Sequence, residues 1–304
     1  MLDLISIGTV TMDLYYIGDS LTQDHDNFQL AIGGKYFASH FFESLGGGAA
    51  NVAIGVNKLG LEAGLIAKIG DNPFKSIIID KLDEAKVHHK NFCQVEKGYT
   101  NISSVLLSKN GEKTLINYRT HQKNIFPEGE SYDILLKAQA VYMASLANVS
   151  LKERIDTLKH AKRYARRTFA NLNVTDCRRP LEEILHFLDP VDIFIINTHE
   201  FADIVKTSYE SIDFHHDVTR KFSPFRKDRI LVLTDGKKGS YAYHEGKVYH
   251  EPAVKAVEVV DSTGAGDGYT AGFIAEYLKT KDIGKSMTAG AQYSVKILRK
   301  MGSN

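Results

Sequence analysis

The sequence predicts a three-layer α/β/α fold with a mostly parallel central sheet and a small β-strand lid. From about residue 63 onward, short runs rich in Val, Ile and Leu alternate with amphipathic segments, as in a parallel sheet covered by helices on both faces. Two stretches, about 14–45 and 99–120, interrupt this order with β-rich sequence. Near the C-terminus, Val259-Val260 lead into the turn Asp261-Ser262-Thr263-Gly264-Ala265-Gly266-Asp267-Gly268, and an amphipathic segment with Phe273, Ile274, Tyr277 and Leu278 follows at helical spacing.

Taken in order, Leu4-Ile5-Ser6-Ile7-Gly8 is a first strand, and Gly8–Asp13 is its end, carrying one acid. Ligands of open α/β sheets sit beyond the carboxyl ends of strands, so Asp13 is either a ligand contact or a solvated turn aspartate. Within 14–45, aromatic residues interleave with polar ones around Gly33-Gly34, which suits short strands rather than a helix. Ile102–Leu107 and Lys113–Tyr118 flank the hairpin signal Lys109-Asn110-Gly111-Glu112, and the two β units together make the lid. Tyr15, Tyr16, Phe28, Phe37 and Phe41 either stack on a nucleobase or form the lid's own apolar face or a dimer seam.

Between the lid units, Gly46-Gly47-Gly48 opens a helix carrying Val52, Val56 and Leu59 and closing at Gly60. Its small first residues admit either a ligand or a neighbouring backbone, and the Asn51 amide both donates to and accepts from a polyol. The alternation then runs strand Ala63–Ile69, helix Pro73–Glu84, strand Ala140–Ala144 and helix Leu151–Arg167, with Ile155, Leu158, Ala161 and Ala165 inward. It continues with strand Phe169–Val174, helix Leu181–Leu188, strand Asp192–Asn197, helix Glu200–Lys206 and strand Ile230–Thr234. A hairpin follows over Tyr241–Tyr249.

The 304 residues show no repeat, low-complexity tract or linker, so one domain over 1–304 is the economical reading. A formal net charge of +1 offers nothing to nucleic acid or an anionic membrane. The basic residues of 151–167 surround an apolar stripe and read as a solvated helix face. No apolar run reaches the roughly 20 residues of a membrane span, and the N-terminus lacks the pattern of a signal peptide. The two cysteines, Cys93 and Cys177, are far apart, which excludes a disulfide framework and fits a reducing cytoplasm. His88-His89 and His215-His216 have no i,i+4 or cysteine partners, so they read as surface histidines rather than transition-metal ligands.

The chemistry concentrates at the glycine-rich turn. A turn that opens a helix presents backbone N–H groups and the positive end of the dipole, which together bind anions. A carboxylate placed there is unfavourable without a task, so Asp267 is expected to take a proton from a hydroxyl while the Gly264–Gly266 amides stabilise a phosphoryl group. The turn lacks the Lys-Ser/Thr of a P-loop. Asn197 and Glu200 open a helix after an apolar strand, either as a capping box or as a phosphate contact and the anchor of a hydrated magnesium ion. Thr234-Asp235-Gly236, followed by Lys237-Lys238, is either a hairpin turn or a close approach to a nucleotide. Positive charge would come from magnesium, the helix dipole and Arg119 or one of these lysines.

In order along the chain, these features resemble a known family. Gly47-Gly48-Ala49-Ala50-Asn51-Val52-Ala53, with Gly60 and Gly70 behind it, resembles the first signature of the ribokinase-like (PfkB) sugar and nucleoside kinases. Asp261–Asp267 closely resembles the second, with Ser262 where a threonine is common, and Asn197…Glu200 and Thr234-Asp235-Gly236 look like the two nucleotide-site motifs between them. The resemblance spans essentially the whole chain. It implies ATP-dependent phosphorylation of a hydroxymethyl group on a sugar, or on the sugar of an adenosine-type nucleoside.

It further implies that Asp267 is the base, that Gly264, Ala265 and Gly266 form the anion hole, and that Asp13, Gly47, Gly48 and Asn51 hold the acceptor. Asn197, Thr234 and Gly236 would lie along the nucleotide, with Glu200 orienting magnesium through water and Asp261 at a monovalent cation, often potassium. The expected partners are ATP, Mg2+, K+ and a small-molecule sugar or nucleoside, with neither nucleic acid nor membrane. A homodimer through the lid and a cytoplasmic location complete the expectation. The rivals are a catalytically silent sugar or nucleotide sensor and a dinucleotide-dependent dehydrogenase, the latter weakened because no G-x-G-x-x-G follows the first strand.

Overall fold

A parallel sheet must be covered on both faces, because its strands are apolar on both. In the computed structural model an eight-stranded sheet runs in the order Lys247–Glu251, Ser240–His244, Ile230–Thr234, Ile193–Asn197, Arg167–Ala170, Ala138–Met143, Leu2–Ile7, Ala63–Ile66. Neighbours from Ile230–Thr234 to Ala63–Ile66 are parallel, and the remaining two strands add an antiparallel hairpin at one edge. The structure describes residues 1–304 apart from 19–21, 25, 26, 108–112, 127–131, 147, 165, 223, 224, 227 and 256–258.

Side chains alternate across the sheet. Val141, Met143, Phe194 and Ile196 enter one core, which the helices Leu151–Arg163, Leu181–Leu188 and Thr198–Val205 cover. Ala140, Tyr142, Ile193 and Ile195 enter the other, beneath the helices Gly48–Lys58, Ala265–Thr280 and Ile283–Leu298. This is the three-layer α/β/α arrangement the sequence predicts.

A second, four-stranded sheet has the order Lys113–Arg119, Asn101–Leu107, Thr11–Ile17, His40–Gly46. The two β-rich interruptions therefore do pair with each other. The turn expected at 109–112 lies outside the described residues. The register aligns Asp13 with Ser103, Tyr15 with Val105 and Ile17 with Leu107, and Leu107 in turn with Lys113. Since strands have period two, Asp13, Tyr15, Asn101, Lys113 and Arg119 share one face, and Tyr16, Leu106, Ile116 and Tyr118 the other.

Several expectations are corrected. Asp13 is not at the end of the first strand but inside Thr11–Ile17 of the small sheet, because the chain leaves the main sheet after Ile7. Ala63–Ile69 is not one strand: Ala63–Ile66 stays in the main sheet, while Lys68–Gly70 pairs with Gln94–Glu96. The helix from Leu151 stops at Arg163, and Arg167 already begins a strand, held by the Thr168 N–H donating to Asp192 at 2.9 Å. Ala165 lies outside the described residues. The strand expected to reach Val174 ends at Ala170, because the Asn173 side chain caps a short helix, Val174–Cys177.

Two surface assignments also change. Arg154 is fully buried, donating to both carboxylate oxygens of Asp176 at 2.8 and 3.1 Å, so the basic run is not wholly a solvated face. His89 is buried with Nε2 at 2.9 Å from Asp83. Among the described residues no helix is long and apolar enough to cross a membrane, and no three His, Cys, Asp or Glu side chains cluster to hold a metal.

Candidate active site

The site is built where two helices begin. Gly264 precedes the helix Ala265–Thr280 with φ 75°, and a Cβ there would lie 2.5 Å from that of Ser303, so both backbone and packing require glycine. Gly266 is different. Its φ is not positive and a Cβ would meet nothing within 4 Å, so no protein contact asks for a glycine there. Open space therefore lies beside the first amides of the helix.

Asp267 sits in the first turn of that helix and accepts a 2.7 Å hydrogen bond from Asn51 Nδ2. Asn51 belongs to the helix Gly48–Lys58, whose own start is equally close: a Cβ on Gly48 would lie 3.4 Å from Asp267 Oδ1. Burial raises the pKa of Asp267 above the usual aspartate range, and the Asn51 bond only partly opposes it. Asn51 Oδ1 and the Tyr142 hydroxyl are buried without partners. Tyr142 is held protonated by burial, reinforced by the charges of Asp267 and Glu200.

Asp261, at the other end of the turn, is 1 % exposed and has both oxygens engaged. Oδ1 accepts from Lys113 Nζ at 2.8 Å, from the Thr263 N–H at 2.8 Å and from Thr263 Oγ1 at 2.7 Å. Oδ2 accepts from the Tyr15 hydroxyl and from the Gly302 N–H, each at 3.1 Å. Burial disfavours its charge, but the bonds from Lys113 and Thr263 outweigh this and keep it ionised below the ordinary range. Lys113 also donates to Thr263 Oγ1.

Asp13 faces the same region from the small sheet. A side chain at Gly46 would collide with its carboxylate. Burial pushes its pKa up to about 6, offset in part by a Ser103 hydrogen bond and by the charges of Arg119 and Lys113.

At the other end, Asn197 and Thr234 are register partners on neighbouring parallel strands. The capping box is formed: Asn197 Oδ1 accepts from the Glu200 N–H at 2.8 Å, and Glu200 Oε2 from the Asn197 N–H at 2.9 Å. The cap engages only one oxygen of Glu200, and burial raises its pKa. Asp235 is fastened by Thr198 Oγ1 and the Tyr209 hydroxyl, so Gly236 follows from a fixed point and turns with φ 51°. Lys238 is committed to Tyr209, donating to its hydroxyl at 2.6 Å.

Between the small sheet and the carboxyl ends of the main strands lies a cleft of about 360 Å³, lined by Thr9, Asn101, Arg119, Ser145, Asn173 and Glu200 among others. Of the predicted site residues only Glu200 lines it, together with Arg119 as the expected charge source. The Asp267 turn adjoins rather than lines the cleft. The link is Thr9, whose carbonyl accepts from the Ala50 N–H at 3.3 Å and leaves no room for a side chain on Gly47. Asn101 Oδ1 is buried and unpartnered beside the cleft.

Sequence reasoning missed Lys113, the polar role of Tyr15, and Asn101. Their signal was present in the hairpin's period of two, which puts Lys113, Asn101 and Arg119 on the face of Asp13 once a register is assumed. Tyr15 was read as apolar lid surface or a base-stacking ring. Instead it is buried, stacked on Phe42 at 4.5 Å and bonded to Asp261.

The whole chain, residues 1–304, matches the family model for pfkB family carbohydrate kinases. An ATP-dependent ribose-1-phosphate kinase of Halopiger xanaduensis is 27% identical over 246 residues, covering 81% of this chain and 77% of that protein. A nucleoside kinase of Methanocaldococcus jannaschii is 25% identical over 295 residues, covering 94% and 86%. The structure of Arabidopsis thaliana ribokinase complexed with ribose and ATP superimposes with a TM-score of 0.81 at 20% identity, over 99% of this chain and 94% of that one. That last likeness is one of fold.

Proposed function

The chain belongs to the pfkB family of carbohydrate kinases and is a phosphotransferase with an alcohol acceptor, and on that premise we propose that it transfers the γ-phosphoryl group of ATP to a hydroxymethyl group of a sugar. The observation that carries the reading is the meeting of two helix N-termini on one half-buried carboxylate, Asp267, held by Asn51 beside the open space at Gly266. As the acceptor oxygen attacks phosphorus, Asp267 takes its proton, and its raised pKa suits a general base. The amides of Gly264, Ala265 and Gly266 donate to the phosphoryl oxygens as charge develops there.

Asp13, Gly47, Gly48 and Asn51 hold the acceptor, and the unpartnered Asn51 Oδ1 and Asn101 Oδ1 offer it two buried acceptors for hydroxyl protons. Asn197, Thr234 and Gly236 lie along the nucleotide. Glu200 fits a magnesium ion held mainly by water and phosphates, because its cap leaves one oxygen over; when bound, the ion would neutralise phosphate charge. The small sheet is the lid that keeps water from the phosphoryl group. Its outer face, apolar at Ile116 and Tyr118, is the seam of a homodimer. Free Cys93 and Cys177 suit a cytoplasmic enzyme.

A sugar is favoured over a nucleoside because Tyr99 is the single aromatic among the described residues lining the cleft, and its hydroxyl is tied to Asn101 and Gln122. The test is coupled ATP consumption across pentoses, hexoses, their phosphates and nucleosides. Turnover with a sugar is expected, and Asp267→Asn should bind ATP while losing at least about two orders of magnitude in kcat. Ligand-induced thermal shifts with no ATP consumed would instead identify a silent sensor.

A further inference from the structure

Asp261 resembles the acid at which related kinases hold a monovalent cation, but in this chain a cation is already covalently present. Lys113 Nζ lies 2.8 Å from Asp261 Oδ1 and donates also to Thr263 Oγ1, on the segment that leads into the Gly264–Gly266 turn. The lysine side chain is 19% exposed and the aspartate side chain 0%, so solvent screens the pair weakly. Between them Lys113, Thr263, Tyr15 and Gly302 engage both carboxylate oxygens. A potassium ion sharing Oδ1 and the Thr263 hydroxyl would have to stand where Nζ stands. Two like charges that close, with little water between them, repel strongly. These residues do not fit an added ion.

The lysine comes from elsewhere in the fold. Lys113 is 148 residues from Asp261 and sits on an edge strand of the small sheet, on the same face as Tyr15, which donates to the other oxygen. Two donors thus run from one sheet face to one carboxylate of the turn. We propose that Lys113 is a positioning residue that supplies the turn's monovalent cation in cis, making the protein independent of potassium and completing the anion hole only when the small sheet is seated over it. An ammonium on a flexible stem can do this as a compact point charge with three donors. It acts through Asp261 and Thr263 rather than by touching the phosphoryl group.

The catalytic half of this inference rests on the kinase reading; the displacement of the ion does not, and the two are tested separately. The full chain, Lys113→Met and Lys113→Arg are melted in potassium, sodium and choline chloride at equal ionic strength. The unaltered protein and Lys113→Arg should melt at the same temperature in all three salts. Lys113→Met should melt lower in choline and recover in potassium, which enters the vacated position. With the acceptor identified by the ATP screen, Lys113→Met in choline should lose about tenfold or more in kcat, with acceptor KM changed less than about threefold. Potassium or ammonium should restore part of that kcat, and Lys113→Arg should retain most of it. Potassium-specific stabilisation or activation of the unaltered protein would overturn the proposal. So would a folded Lys113→Met with undiminished kcat and no response to potassium. If Lys113→Met does not fold, the salt series on the unaltered protein and Lys113→Arg still decides.

Discussion

Three aspartates of one site are given different characters by their neighbours. Asp261 is surrounded by donors and stays charged, Asp267 has one amide partner and a pKa raised by burial, and Asp13 is buried with only partial compensation. For Asp13 the cost has a sign. Its folded pKa is raised from 3.8 to about 6, so between those values the native state binds more protons than the unfolded one, and stability falls as pH rises through that window. Above it the ionised carboxylate destabilises the ligand-free protein by on the order of 3 kcal/mol. Asp13→Asn should therefore raise Tm at pH 8 and change it little at pH 4, while raising acceptor KM because a charged acceptor of hydroxyl protons is lost. Melts at the two pH values check this, and an equal shift at both would remove the burial argument.

At the scale of the element, the helix Ala265–Thr280 shows why a glycine-rich segment can still be a helix. Gly272 is needed for close packing, since a Cβ there would come within 2.6 Å of the Ala289 carbonyl oxygen on the next helix, and Gly264 is needed for its turn. Gly266 serves neither purpose. Gly266→Val should leave Tm within a few degrees, because valine is no worse than glycine as a helix former and enters open space. It should nonetheless cut kcat by about 10²-fold, the usual cost of blocking an oxyanion donor. Gly264→Ala should do the reverse first, lowering Tm through its positive φ and the contact with Ser303. Paired kcat and Tm measurements separate the two, and an unaffected kcat in Gly266→Val would argue against an anion hole at this turn.

For the whole molecule, the small sheet is the part whose two faces have different tasks. One face carries Asp13, Tyr15 and Lys113 to the turn, while the other presents Phe41, Ile116 and Tyr118, which are 56%, 61% and 64% exposed. The strands Lys113–Arg119 and His40–Gly46 are also its edges, and an exposed apolar sheet face tends to find a partner. Light scattering on the purified chain should give a dimer, and Ile116→Asp should shift it to monomer while preserving the fold by circular dichroism. A monomeric unaltered protein at micromolar concentration would remove the seam.

Strand and helix order, the Asn197–Glu200 cap and the turn before Asp267 were readable in the sequence because each depends on spacing within a few residues: a period, a cap, a glycine where φ or packing demands one. The limits of that locality show at Arg167 and Asp13. Arg167 continues an amphipathic pattern yet is pulled into a strand by the Asp192 contact with Thr168, and Asp13 follows a first strand yet belongs to another sheet. The contacts that define the site are longer still. Asn51 meets Asp267 across 216 residues, and Lys113 meets Asp261 across 148. Type and motif single out the residues to expect at the site. Which ones touch was decided only by the register of the small sheet and the convergence of two helix starts, because a side chain's partner is set by the face it is given, and that face exists only after the strands have paired.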